Sequence, residues 1–172
     1  RETDAWSVKE GDRVFVVRGE GSVAAFEVGS EPPAQAGFRL IGAHTDSPGF
    51  RLKPKAQLTR LGFHQLSVET YGAPLLSTWL DRGLALAGRV YVRGPDGDVA
   101  PHLVDVRRPL LCIPNLAIHL NARVNEKGLV LNKQKHMVPI LALEASGGFD
   151  LMTFLAATLA ADMRDKIAAH DV

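Results

Sequence analysis

The sequence predicts a β-rich chain in two parts, with one long helix near its C-terminal end. Three observations carry that expectation. Short apolar runs, several alternating with polar residues, recur up to Ile113 between turns rich in Gly and Pro. The strands lengthen beyond Pro54, where the organisation changes. Finally, Leu151, Phe154, Leu155, Leu159, Met163 and Ile167 recur at helical spacing.

In chain order, Arg13 to Arg18 (RVFVVR) and Ser22 to Val28 (SVAAFEV) flank Gly19-Glu20-Gly21 and read as a hairpin. Ser30 to Gly37 contains Pro32 and Pro33, which remove ladder donors and fix φ, so it reads as a surface loop. Phe38 to Ala43 is a third apolar strand, and Phe50 to Lys53 a half-buried one that Pro54 ends. A domain boundary near Lys55 divides the chain into residues 1–54 and 55–172. Strands follow at Phe63 to Tyr71, Leu84 to Arg93 and Val99 to Val106, the last two joined through the turn Gly94-Pro95-Asp96-Gly97-Asp98. Leu110 to Ile113 is a short apolar strand stopped by Pro114. Asn115 to Asn121 is too short for periodicity to separate a helical turn from a bend, and Asn125 to Lys135 reads as an exposed polar loop. Asp150, after Gly147-Gly148, is placed to cap the helix that carries the Leu151 to Ile167 pattern.

Composition excludes several classes of function. The 172 residues are 46% hydrophobic and 23% charged with a net charge of +1, which argues against disorder and against a basic nucleic-acid surface. No apolar run approaches the roughly 20 residues of a membrane span, and no signal pattern opens the chain. The expectation is a soluble, cytoplasmic protein with neither nucleic-acid nor membrane partners. The lone Cys112 has no internal disulfide partner and reads as a small buried apolar residue. G-x-S-x-G, Walker, G-x-G-x-x-G and H-E-x-x-H motifs are absent.

The run Arg39 to Pro48 (RLIGAHTDSP) ends an apolar strand in a turn that carries His44 and Asp46. Residues i and i+2 of an extended backbone point to one side, so both can converge on one ion, or the carboxylate can hold the imidazole in one tautomer. The other reading is a turn Asp that caps a local N–H beside a hydrogen-bonded His. One His-x-Asp supplies at most two of the ligands that zinc requires. His119, within Ile118-His119-Leu120, reads locally as a satisfied, partly buried histidine. His64, His102, His136 and His170 read as surface or structural residues, and Trp79 in STWLDR as a packing anchor beside an Asp81–Arg82 ion pair.

The strings IGAHTDSPGFRLKPK, VETYGAPLLSTWLDRGLALAGRV and IPNLAIHLNARVNE, followed by HMVPIL, resemble the aspartyl aminopeptidase family of zinc metallopeptidases from about Asp4 to Leu143. The resemblance implies an α/β catalytic domain with two co-catalytic zinc ions, interrupted just after HTDSP by a mostly β dimerisation domain. Residues 1–54 would then be part of the catalytic domain and residues 55–172 the inserted domain, with the C-terminal helix near the return. It also implies that His44 binds one zinc and that Asp46 supports the catalytic centre. His119, against its local reading, would reach into the neighbouring subunit's active site and stabilise the reacting carbonyl. The implied substrates are peptides with an acidic N-terminal residue, and the implied assembly is a homodimer that associates into a larger homo-oligomer. The family's remaining metal ligands and its catalytic Glu follow the dimerisation domain and have no counterpart here. The chain also opens on Arg1. The expectation is therefore a fragment, inactive as a peptidase by itself, with a non-enzymatic dimerisation or assembly module as the competing reading.

Overall fold

The structure is a computed structural model, and it describes residues 3–19, 21–159 and 167–171. It divides into two compact units, residues 1–47 and 48–172.

The first unit is built on a hairpin. Strands β1 (Arg13–Arg18) and β2 (Ser22–Glu27) pair antiparallel, with Arg13 opposite Glu27 and Arg18 opposite Ser22. Trp6 stacks on Phe26 at 5.8 Å between ring centroids, which gives this small unit its aromatic contact. Arg13 Nε donates to Glu27 Oε2 at 3.0 Å across the ladder, an exposed pair of small energetic weight. The predicted loop at 30–37 contains one short helix, α1 (Pro33–Ala36), with Pro at its start, where a missing N–H costs nothing.

The expected strand at Phe38 to Ala43 does not form. These residues pair with no strand among the described residues, and Leu40 and Ile41 stand 88% and 101% exposed. A strand of such apolar composition belongs in a sheet with neighbours on both edges, and the unit offers only a two-stranded ribbon.

The second unit holds two sheets over one core. The first sheet orders β3 (Gly49–Arg60), β4 (Phe63–Tyr71), β9 (Ile140–Leu143), β8 (Leu111–Cys112) and β5 (Gly83–Leu84) as β3-β4-β9-β8-β5. The second orders β10 (Ile167–Asp171), β6 (Ala87–Arg93) and β7 (Val99–Asp105) as β10-β6-β7. Strand β3 continues through Pro54 instead of stopping there. The pairing of β3 with β4 shifts between Leu52 and Gln57, so Pro54 lies in a bulge where no ladder bond is asked of it. Leu61 and Gly62 close the β3–β4 hairpin with φ of 53° and 79°. That is the two-residue turn whose twist matches the strands, with Leu61 in a conformation that side chains resist.

The predicted strand Leu84 to Arg93 is two elements, because the chain changes sheets between them: Leu84 pairs with Leu111, while Ala87 opens the ladder with β7. Gly83 has no room for a side chain, since a Cβ there would lie 2.7 Å from Pro109 Cβ. The β6–β7 hairpin turns through Gly94 to Asp98 as expected, with Gly94 N–H donating to the Asp98 carbonyl at 2.7 Å.

Helix α3 (Leu151–Thr158) starts at the expected cap: Asp150 Oδ1 accepts from Thr153 N–H at 2.7 Å. It is shorter than the apolar spacing suggested. Met163 lies outside the described residues, and Ile167 opens β10, paired with Val92 of β6. The open edge of β6 and the core behind it claim that segment. Leu66, Val90, Val104, Leu111 and Leu155 are buried in one cluster formed by both sheets and α3. Further α2 (Val124–Lys127) is a single turn within the polar loop. Among the described residues no helix is long and apolar enough to cross a membrane.

Candidate metal centre and active-site residues

His44 and Asp46 come together in a bend, without the strand that was expected to deliver them. His44 Nδ1–H donates to the Asp46 backbone carbonyl at 2.7 Å, while the Asp46 carboxylate lies 3.5 Å from the same nitrogen. A carbonyl oxygen can only accept, so Nδ1 carries the proton and the neutral ring keeps its lone pair on Nε2. The tautomer is thus held by the main chain of Asp46, whereas one of the roles the sequence left open gave that task to its carboxylate. His44 and Asp46 side chains are 79% and 54% exposed, so the Nε2 face is open to an incoming group.

An imidazole with Nδ1–H bonded to a carbonyl is the usual form of a zinc-ligating histidine, and a carboxylate beside it suits the same ion. The donor chemistry fits zinc, but the donor count falls short of a complete shell. Among the described residues no group of three or more His, Cys, Asp or Glu side chains converges to hold a metal.

His119 sits in the 3-10 turn Ile118–Leu120, which is exposed throughout. The local reading of a satisfied, partly buried histidine therefore does not hold. The turn projects from the core at Ile113 through Pro114, and its apolar neighbours Leu116, Ile118 and Leu120 face solvent, Leu120 at 74% exposure. Asn115 Oδ1 accepts from Leu116 N–H at 2.9 Å, and Leu120 N–H donates to the Ala117 carbonyl at 2.9 Å, which sets the turn. Among the described residues no buried mate holds the imidazole, because the apolar residues flanking it do not turn inward.

Four further sequence readings meet the structure here. Trp79 is the expected packing anchor, edge-on to Phe50 at 4.8 Å between centroids. Asp81 and Arg82 do not pair with each other: Arg82 donates to the Thr78 carbonyl at 3.1 Å, and Asp81 Oδ1 accepts from Asn115 N–H at 2.8 Å. His64 is structural, with Nε2–H donating to the Gly147 carbonyl at 2.8 Å and Nδ1 accepting from the Thr59 hydroxyl at 3.1 Å. Cys112 is half-buried, its strand neighbours Leu111 and Ile113 taking the core positions.

Residues 1–157 match the family described as aminopeptidase I zinc metalloprotease (M18). A probable M18 family aminopeptidase 2 of Stutzerimonas stutzeri (strain A1501) is 50% identical over 146 residues, covering 84% of this chain and 33% of the relative. This chain therefore spans about a third of the length of such curated relatives. Among solved structures, a chain in the cryo-EM structure of the Ape4 and Nbr1 complex is 36% identical, with a TM-score of 0.81 over 99% of this chain and 36% of its own. The mApe1 structure from Chaetomium thermophilum is 29% identical, with a TM-score of 0.76 over 96% of this chain and 40% of its own. The chain with the HTDSP bend and the exposed His119 turn belongs to the M18 family of zinc aminopeptidases.

Proposed function

We propose that this chain carries one corner of a two-zinc site in an aminopeptidase that removes N-terminal Asp or Glu from peptides. The observation that carries the reading is the fixed His44 tautomer, which presents an Nε2 lone pair in a chain of zinc-aminopeptidase kinship. His44 would hold one ion through Nε2, while the Asp46 carbonyl keeps the ring in that orientation and its carboxylate adds negative charge beside it. Zinc, when bound, polarises a carbonyl and lowers the pKa of a coordinated water. The acidic substrate class rests on the resemblance of the three long strings to aspartyl aminopeptidases.

Residues 1–54 supply part of the α/β catalytic domain in this reading, and residues 55–172 form the inserted dimerisation domain. The exposed apolar turn around His119 supports the second assignment, because a homodimer partner would cover Leu116, Ile118 and Leu120. His119 would then donate a hydrogen bond to the carbonyl oxygen of the substrate in the neighbouring subunit as negative charge builds there. A relative of the same fold, mApe1 of S. cerevisiae, is a dodecamer, which accords with assembly beyond the dimer.

Two assays test the proposal. In the full-length, metal-loaded enzyme, His119→Ala is expected to lower kcat by about 100-fold to 1,000-fold, the scale of losing one oxyanion donor, with KM little changed. A kcat at the wild-type level would remove His119 from the chemistry. The 172-residue chain alone, supplied with zinc and a peptide beginning with Asp, is expected to give no turnover. Turnover that His44→Ala abolishes would show a complete site where only one corner is proposed.

A further inference from the structure

Asp81 holds a left-handed backbone, φ 54°, and is one of two described non-glycine residues with positive φ, the other being Leu61 in its hairpin turn. Such a conformation is costly for most side chains and least so for Asn and Asp. No tight hairpin explains it here, since Asp81 lies between the 3-10 turn Leu76–Trp79 and strand β5. Its bonds do explain it. Asp81 N–H donates to the Ile113 carbonyl at 3.0 Å, and Asp81 Oδ1 accepts from Asn115 N–H at 2.8 Å. One residue therefore grips the chain on both sides of Pro114, which has no N–H of its own to offer.

Both ends of this grip are firmly based. On one side Trp79 packs edge-on against Phe50 of β3, and Leu80 bridges to Ile113. On the other, Ile113 is fully buried and leads into the exposed segment that carries His119. Beyond Asn115, His119 projects from a turn with little buried surface, so its placement depends on how the chain leaves the core at Pro114.

We propose that Asp81 is the positioning residue for His119: its backbone N–H and carboxylate clamp Ile113 and Asn115 and so fix the direction in which the His119 turn leaves the core. This rests on the reading that His119 acts on substrate. The clamp makes two separate demands, a left-handed backbone and a side-chain acceptor. Asn meets both, Gly meets only the first, and Ala meets neither.

Three variants therefore separate the clamp from simple backbone strain. In the 172-residue chain, amide exchange of Asn115 through Asn121 is expected to stay within about twofold of wild type in Asp81→Asn. It is expected to accelerate by about tenfold or more in Asp81→Gly and Asp81→Ala, as a lost hydrogen bond predicts. In the full-length, metal-loaded enzyme, Asp81→Gly is expected to lower kcat by about tenfold to 100-fold with KM within about twofold, since misplacing a catalytic donor costs rate and not affinity. Asp81→Asn is expected to restore kcat, which a folding defect at this position would not predict. Wild-type exchange in Asp81→Gly overturns the clamp. Faster exchange in Asp81→Gly with kcat unchanged, while His119→Ala is slow, overturns the positioning role and leaves the function reading standing. Wild-type kcat in His119→Ala overturns that reading itself, and the exchange data then still report the clamp.

Discussion

At the scale of single residues, the strongest local device is the cap of α3. Asp150 Oδ1 accepts the Thr153 amide at 2.7 Å and satisfies one of the donors that the helix start leaves open. Gln57 adds a second fixture, its side chain donating to the Phe149 carbonyl and accepting from Leu151 N–H at 2.8 Å. Asp150→Ala is expected to cost about 1 kcal/mol, read as a lower urea midpoint at unchanged slope, while Asp150→Asn retains most of it. Residue chemistry also decides what could be known about the site. His44 and Asp46 were legible as a pair because their spacing is local. The carbonyl that fixes the tautomer was not, since every residue has one and only the bend chooses among them. The partial burial that local sequence suggested for His119 was misread for a related reason. Apolar neighbours usually mean burial, but Leu116 and Leu120 face solvent, and sequence does not say which apolar runs turn outward. Asp81 was misassigned to its neighbour Arg82, because its true partner Asn115 lies far along the chain.

At the scale of elements, the hairpins were legible and the long-range pairings were not. Strands β1 with β2 and β6 with β7 announce themselves through alternation and a Gly-bearing turn between adjacent runs. Strand β10 gives no such signal, because its partner β6 lies far upstream and its apolar residues continue a helical spacing by coincidence. The unformed strand at Phe38 to Ala43 is the converse case. Its composition is right, yet a strand needs a neighbour. Strand β5 shows how tightly a pairing can be specified. Gly83 opposite Cys112 leaves only 2.7 Å between its missing Cβ and Pro109, so Gly83→Val is expected to destabilise the second unit by about 2 kcal/mol or more. Thermal unfolding checks this, and an unchanged midpoint would mean that the Pro109 segment yields.

At the scale of the whole molecule, two units of different character share one chain. Residues 48–172 contain both larger sheets, the buried cluster around Leu66, Val90 and Leu155, and helix α3. A polypeptide of residues 48–172 is expected to unfold in one cooperative transition, whereas residues 1–47 alone are expected to show none, their hairpin being too small to bury a core. Urea titration followed by far-UV circular dichroism distinguishes them. Sedimentation of the larger piece without metal addresses assembly: a dimer supports the proposed docking role of the His119 face, and a monomer at high concentration removes that support.

The open segment Phe38 to Ile41 has a consequence in time as well as in space. On the ribosome these residues are made before any of residues 48–172, and synthesis of the latter at about 5–20 residues per second takes on the order of 10 s. Ile41 is fully exposed among the described residues. For those seconds the segment is an apolar stretch whose backbone has no sheet partner, the kind of surface that a holding chaperone or a second nascent chain captures first.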